Sequence, residues 1–219
     1  MDDPIGSHPT RAEQLDILAT MITDQAKPND RVLDLGCGTG YVASLILNKR
    51  SDLYLTGVDL KTESIAEAKT NLIAHKERTA WFVGNLEEIE EIKIPDLHYQ
   101  FIITALTFHD LPDSAKSDVI SFASKRLSPE GFFFLYDRLR LTEKNFFPLQ
   151  KSIWNRIDRV YGRGMRSAES FDAYEADIMP NNRPGRLDDY IEWFDDAGMK
   201  AQILHLHGNV ALIGGSKGG

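Results

Sequence analysis

From residue 31 onward, short apolar runs alternate with longer stretches in which apolar residues recur at helical spacing. The strand-sized runs cover residues 31–36, 54–60, 79–84, 99–106 and 131–137. The last holds Phe132, Phe133 and Phe134 in succession, as expected of a strand buried on both faces. Between these runs the spacing predicts a helix from Tyr41, with Leu45 and Ile46 turned inward, a second over 63–76 and a third over 113–126. Ser64 and Glu67 have the spacing of a capping box, and Pro112 marks the entry to the third helix. A further helix precedes the first strand: Thr10 and Glu13 again read as a capping box, and Leu15, Leu18 and Ile22 share a face.

Strand alternating with helix predicts a doubly wound, Rossmann-like α/β sheet with helices on both faces. Residues 200–207 and 210–216 break the alternation, since they are strand-like and separated only by Gly208-Asn209, which predicts a tight hairpin. Residues 138–186 are too long for a simple connection, so they read as an insertion with helices of its own. Such an insertion sits above the carboxyl ends of the strands, where open α/β sheets bind ligands. The expected organisation is one domain over 1–219, with 1–29 as an N-terminal helix and lid edge and 138–186 as a lid between the fifth and sixth strands.

Composition changes the picture mainly by exclusion. A hydrophobic share of 42% supports a sizeable core, and the formal charge of −8 argues against general binding to nucleic acid or anionic membranes. No apolar run is long enough to span a bilayer. The start, Met-Asp-Asp-Pro, lacks the basic and apolar regions of a secretory signal, and the single cysteine, Cys37, excludes a disulfide framework or a cysteine-built metal site. We expect a cytoplasmic protein with a small-molecule partner, no metal, and a monomeric or homodimeric state.

The chemistry gathers where the first strand ends. Residues 31–40 read Arg-Val-Leu-Asp-Leu-Gly-Cys-Gly-Thr-Gly, and Asp59 closes the second strand. An acidic residue about 20 positions beyond a glycine turn is suited to the two hydroxyls of a ribose. A dinucleotide fingerprint beginning at Gly36 would need a small third residue where Tyr41 stands, and no Lys-Ser/Thr pair follows as in a phosphate-binding loop. A ligand with a ribose but no pyrophosphate fits better. The arrangement resembles motif I of the class I S-adenosylmethionine-dependent methyltransferases, hydrophobic-hydrophobic-(Asp/Glu)-hydrophobic-Gly-x-Gly-x-Gly.

The resemblance covers roughly residues 30–137. It implies a seven-stranded sheet of order 3-2-1-4-5-7-6 with strand 7 antiparallel, and S-adenosylmethionine as cofactor with S-adenosylhomocysteine as product. It also implies roles for particular residues. Backbone around Gly36, Cys37, Gly38 and Gly40 would hold the methionine part, with Asp34 steadying the loop and the ammonium. Asp59 would take the ribose, Leu60 would lie against adenine, and Asn85 and Leu86 would meet the adenine edge, Asn85 standing where the family has Asp. Ala105 opens a segment, Ala-Leu-Thr-Phe-His109-Asp110-Leu, similar to one in many small-molecule methyltransferases. His109 there is either a base or orienting group for the acceptor, or a packing residue beneath the cofactor. Residues 184–198 are similar to the family's helix before the hairpin.

Other residues stay open. Cys37 is a turn filler unless its pKa is lowered. Asp110 reads as a helix-entry residue. Tyr136 and Asp137 end the fifth strand on the ligand side, where either can touch substrate, and Asp137 has Arg138 and Arg140 as candidate partners. His205 and His207 share a strand face but lack a third metal ligand nearby. Arg156, Arg159, Arg163 and Arg166 follow three-and-four spacing, either as a solvated face or as a clamp for a carboxylate or phosphate on the substrate. The implied reaction is methyl transfer by direct displacement to O, N or C of a small acceptor. Carboxyl transfer on the same cofactor and a catalytically silent cofactor-binding protein are the alternatives.

Overall fold

The computed structural model describes residues 9–95, 97–162, 167–178 and 182–218. Seven strands form one sheet of order β3-β2-β1-β4-β5-β7-β6. They are β1 (Arg31–Leu35), β2 (Tyr54–Asp59), β3 (Thr79–Val83), β4 (Tyr99–Ala105), β5 (Leu127–Arg138), β6 (Met199–His207) and β7 (Val210–Lys217). The pairs among β1 to β5 are parallel, and β7 runs antiparallel to both β5 and β6. This is the order implied by the resemblance.

Side-chain alternation divides the core into two layers. Val32, Phe101, Ile103, Phe134, Tyr136 and Leu212 pack beneath α1 (Pro9–Gln25) and α2 (Tyr41–Lys49). Leu33, Ile102, Phe133, Leu135 and Ile213 pack on the other face, beneath α4 (Asp113–Arg126) and α7 (Leu187–Asp196). There Phe133 stacks on Phe194 with ring centroids 5.5 Å apart. Both faces of the central strands are dry, which is why their sequences read as continuous apolar runs. Among the three successive phenylalanines Phe132 is the exception at 37% exposure, because it borders an open cavity beside Thr20, Met21 and Asp24 of α1.

Several boundaries differ from the sequence reading. The helix expected over 63–76 is α3 (Thr62–Asn71) followed by a 3-10 segment, Ile73–Arg78. Neither capping box caps its helix. α1 already begins at Pro9, and α3 is entered through Lys61, whose N–H is held by the Asp59 carboxylate at 2.9 Å. β5 starts at Leu127, directly after α4, rather than at residue 131. The stretch 138–186 contains α5 (Phe147–Tyr161) and α6 (Phe171–Ala176). Phe147, Trp154, Tyr174 and Ile178 give it a small core separate from the sheet's.

Candidate functional site

The β1–α2 turn is built by three glycines in the left-handed region, Gly36 (φ 81), Gly38 (φ 52) and Gly40 (φ 80). The N–H groups of Gly36 and Cys37 both donate to the Val58 carbonyl, at 2.8 and 2.9 Å, which bends the chain sharply over the top of β2. A Cβ at Gly36 would overlap the Thr107 side chain, whereas one at Gly38 would meet nothing within 4 Å. Gly36 is thus fixed by packing, and Gly38 borders open space where a ligand can approach the backbone.

Asp59 closes the turn from below. Its Oδ2 accepts from Gly38 N and its Oδ1 from Lys61 N, both at 2.9 Å, so the acid anticipated for ribose also fixes the loop. Leu60 beside it is 62% exposed, an apolar surface available to a flat ring. Asn85 caps the 3-10 turn Leu86–Glu91, its Oδ1 accepting from Glu87 N at 3.1 Å, while Leu86 is buried. The remaining lone pair of that carbonyl oxygen can still accept from an amino group. Ala105 is buried at the end of β4.

Asp34 is the most informative atom set in the turn. It is 1% exposed, and its Oδ2 has no hydrogen-bond partner among the described residues. Burial, with the charge of Asp59 adding to it, pushes the carboxyl up to about 8. A buried carboxylate oxygen without a donor is costly, and an ammonium group brought to it would restore the charged form. Cys37 is buried under the same conditions. Burial first, then the nearby Asp34 and Asp59, push its thiol far up, so it is an inert turn residue.

On the other side of β4, Leu106 adopts φ 55 while its N–H donates to Tyr136 O at 2.8 Å. A leucine in this region costs about 1 kcal/mol or more, and such strain gathers at functional sites. Thr107 then donates toward Gly36 O at 3.3 Å, bringing the next turn, Phe108–Asp110, against the glycine loop. His109 in that turn meets Asp137 at the end of β5. Its Nδ1 lies 2.6 Å from Oδ1, and its backbone N donates to Oδ2 at 2.8 Å. Arg138 N donates to Oδ1 at 2.6 Å. Burial alone would raise the Asp137 carboxyl. The His109 charge and the three hydrogen bonds outweigh it and hold the carboxyl below its ordinary range. Asp137 therefore takes His109 as its side-chain partner, and Arg138 contributes only its backbone. The contact leaves no mark in the sequence, because nothing there pairs residues 28 positions apart on neighbouring strand ends.

Tyr136 lies on the opposite face. Its fully buried hydroxyl donates to Gln14 Oε1 at 2.9 Å, and Gln14 Nε2 meets Val210 O and His205 Nδ1 at 3.2 and 3.1 Å. Burial raises this phenol well above its usual range. Tyr136 belongs to a closed network that fastens α1 to the sheet, not to an open surface. The same network accounts for His205, and the His207 ring packs on Tyr161. On α5 the inward residues are Trp154 and Ile157, and Arg156 and Arg159 lie on its exposed side. Arg163 and Arg166 lie outside the described residues. No helix among the described residues is long and apolar enough to cross a membrane.

Comparison with known proteins shows what this chain is similar to. Residues 32–131 match the family model of a methyltransferase domain. The carboxy-S-adenosyl-L-methionine synthase of Campylobacter lari is 26% identical over 149 residues, covering 65% of this chain and 62% of that protein. The ribosomal RNA small subunit methyltransferase C of Mannheimia succiniciproducens is 29% identical over 142 residues, covering 63% and 39% respectively. The chain thus spans less than two thirds of either relative. Among solved structures, the magnesium protoporphyrin IX methyltransferase of Synechocystis, with bound S-adenosylhomocysteine, superposes with a TM-score of 0.63 at 13% identity, over 95% of this chain and 85% of that one.

Proposed function

We propose that this chain, which carries the methyltransferase domain and fold of the class I S-adenosylmethionine-dependent family, transfers a methyl group to a small-molecule acceptor. The observation that carries the reading is the partnerless Oδ2 of buried Asp34 beneath a glycine turn closed by Asp59. S-adenosylmethionine, with its ammonium and ribose, suits that set of groups and would supply a methyl group on a sulfonium sulfur open to in-line attack. The protein's part is alignment and exclusion of water.

In this reading the orphaned oxygen of Asp34 receives the cofactor's ammonium, and the backbone at Gly36, Cys37, Gly38 and Gly40 lets the methionine part approach. Asp59 binds the ribose hydroxyls, its carboxylate already oriented by Gly38 N and Lys61 N. Leu60, Asn85, Leu86 and Ala105 border the adenine. His109, with Nδ1–H directed at Asp137, keeps Nε2 as the acceptor for a proton leaving the substrate. Asp110 Oδ1, 3.6 Å from Nε2, steadies the imidazolium that results. The segment 138–186 acts as a lid beside the N-terminal helix, and Arg156 and Arg159 on the exposed side of α5 are the residues offered to an acidic acceptor. The formal charge of −8 favours a small acceptor over a nucleic acid.

Calorimetric titration with S-adenosylmethionine tests the reading, and Asp34→Asn and Asp59→Ala are both expected to weaken binding at least tenfold. No binding by the native chain would sink it. The likeness to the Campylobacter lari synthase favours one second reading, carboxyl transfer onto the cofactor. Mass spectrometry separates the two: methyl transfer yields S-adenosylhomocysteine, and carboxyl transfer yields a heavier sulfonium that keeps the methyl carbon.

A further inference from the structure

Lys116 is wholly buried on α4, although a lysine ammonium is among the costliest groups to desolvate. It does not serve the cofactor turn. Its Nζ donates to Asp113 Oδ1 at 2.7 Å and to the backbone carbonyl of Arg183 at 2.5 Å. The N–H of that same Arg183 donates to the His109 carbonyl, also at 2.5 Å. One residue of the returning segment is therefore gripped on both sides of its backbone, once by the histidine turn and once by a buried cation. The segment is tied again two residues later, where Arg140 N donates to Gly185 O at 2.9 Å and Leu139 bridges Gly185. Its other neighbour, Asn182, is buried and donates to Asp177 O at 3.1 Å.

The residue held this firmly carries a guanidinium. Arg183 is half-buried, and among the described residues its side chain makes no hydrogen bond or ion pair, unlike Arg50 and Arg140, which hold Asp52 and Glu175. A guanidinium with a fixed backbone and no partner among the described residues suits a carboxylate or phosphate, which it can meet with two parallel N–H groups. The surrounding segment agrees in sign, since residues 138–186 contain ten Lys and Arg against six Asp and Glu in a chain of net charge −8.

We infer that Arg183 binds an anionic group of the acceptor beside His109, and that Lys116 is the positioning residue that holds Arg183 there. The acceptor class is then a small molecule bearing a carboxylate or phosphate near the atom to be methylated. This rests on the methyltransferase reading, and its test is arranged to fail separately from it.

Inorganic phosphate is titrated as the probe into the full-length protein saturated with S-adenosylhomocysteine, followed by calorimetry or by amide shifts at residues 109 and 183. The native protein is expected to bind it, Arg183→Gln to lose at least about tenfold in affinity, and Lys116→Met to lose about threefold or more. Lys116→Arg, which keeps the buried cation, is expected to restore most of that loss, a rescue that a mere packing role would not produce. S-adenosylhomocysteine affinity should stay within about twofold in every variant. Phosphate affinity unchanged in Arg183→Gln, or no phosphate binding by the native protein, overturns the anion site. Equal losses in Lys116→Met and Lys116→Arg overturn the positioning role. Failure of the native protein to bind S-adenosylhomocysteine would count against the cofactor reading instead, and the phosphate titration then reads Arg183 in the free protein.

Discussion

Asp34 and Asp137 make a controlled comparison. Each sits near the carboxyl end of a parallel strand, each is 1% exposed, and one strand separates them. Asp137 is surrounded by two backbone N–H donors and the His109 ring, and its carboxyl is held low. Asp34 has an oxygen with no donor and an acidic neighbour, and its carboxyl is pushed up to about 8. Burial is the same in both, so the partners decide the sign. Asp137 finds its partners within the protein, whereas Asp34 is short of one donor.

The largest effect that tests this contrast is on turnover. His109→Asn is expected to lower kcat by about 10²- to 10⁴-fold with cofactor affinity unchanged. Asp137→Asn should fall in the same direction, with the pH dependence of kcat altered. A variant that loses cofactor affinity and keeps kcat would place the dyad in the wrong half of the site.

Stability should then separate the two aspartates. Asp137→Ala leaves three donors without their acceptor and should cost about 1–3 kcal/mol in urea unfolding. Asp34→Asn should instead stabilise the cofactor-free protein at neutral and alkaline pH. The sign follows from linkage. A carboxyl raised in the folded state from 3.8 to about 8 contributes stability in full below 3.8 and loses it progressively as pH rises through about 8. Asp137, lowered on folding, contributes above the ordinary carboxylate range and loses that contribution as pH falls through its folded value. Thermal unfolding of native protein and Asp34→Asn from pH 4 to 9 should show the gap widening with pH, by about 2–4 °C for each kcal/mol. A gap that stays constant would mean that Asp34 is satisfied without the cofactor.

Smaller effects belong to the turn and to α5. Gly38→Ala should cost about 1–2 kcal/mol through φ alone, since a Cβ there meets nothing, and Gly36→Ala should cost more because Thr107 stands in the way. Arg156→Gln, on the exposed side of α5, should leave stability within about 0.5 kcal/mol in the same unfolding assay.

The strand order and the glycine turn were legible because they follow from local rules. Dry strands read as apolar runs, and a turn needing left-handed backbone reads as glycines. The long-range contacts were not legible for the opposite reason. The His109–Asp137 contact, the Gln14–Tyr136 network and the Lys116–Arg183 clamp each join distant parts of the chain, and their residue types are ordinary on any surface. The strain at Leu106 carries no signal at all, since leucine is a poor choice for φ 55. One local rule was displaced by another: Asp59, two residues before Lys61, supplies the entry to α3 that Ser64 was expected to give.

Asn209, at the tip of the β6–β7 hairpin, has a consequence for redesign. Its backbone carbonyl accepts from Leu139 N at 2.7 Å, its Nδ2 donates to Leu139 O at 3.0 Å, and its Oδ1 accepts from Trp154 Nε1 at 3.2 Å. A hairpin tip that would tolerate Gly or Asp as a turn is thus committed to the amide, because only Asn offers a donor to β5's extension and an acceptor to α5 at once. It is the seam between scaffold and insertion. A foreign insertion grafted between residues 140 and 182 would have to return an N–H donor to that one oxygen, or leave it stranded in the interior.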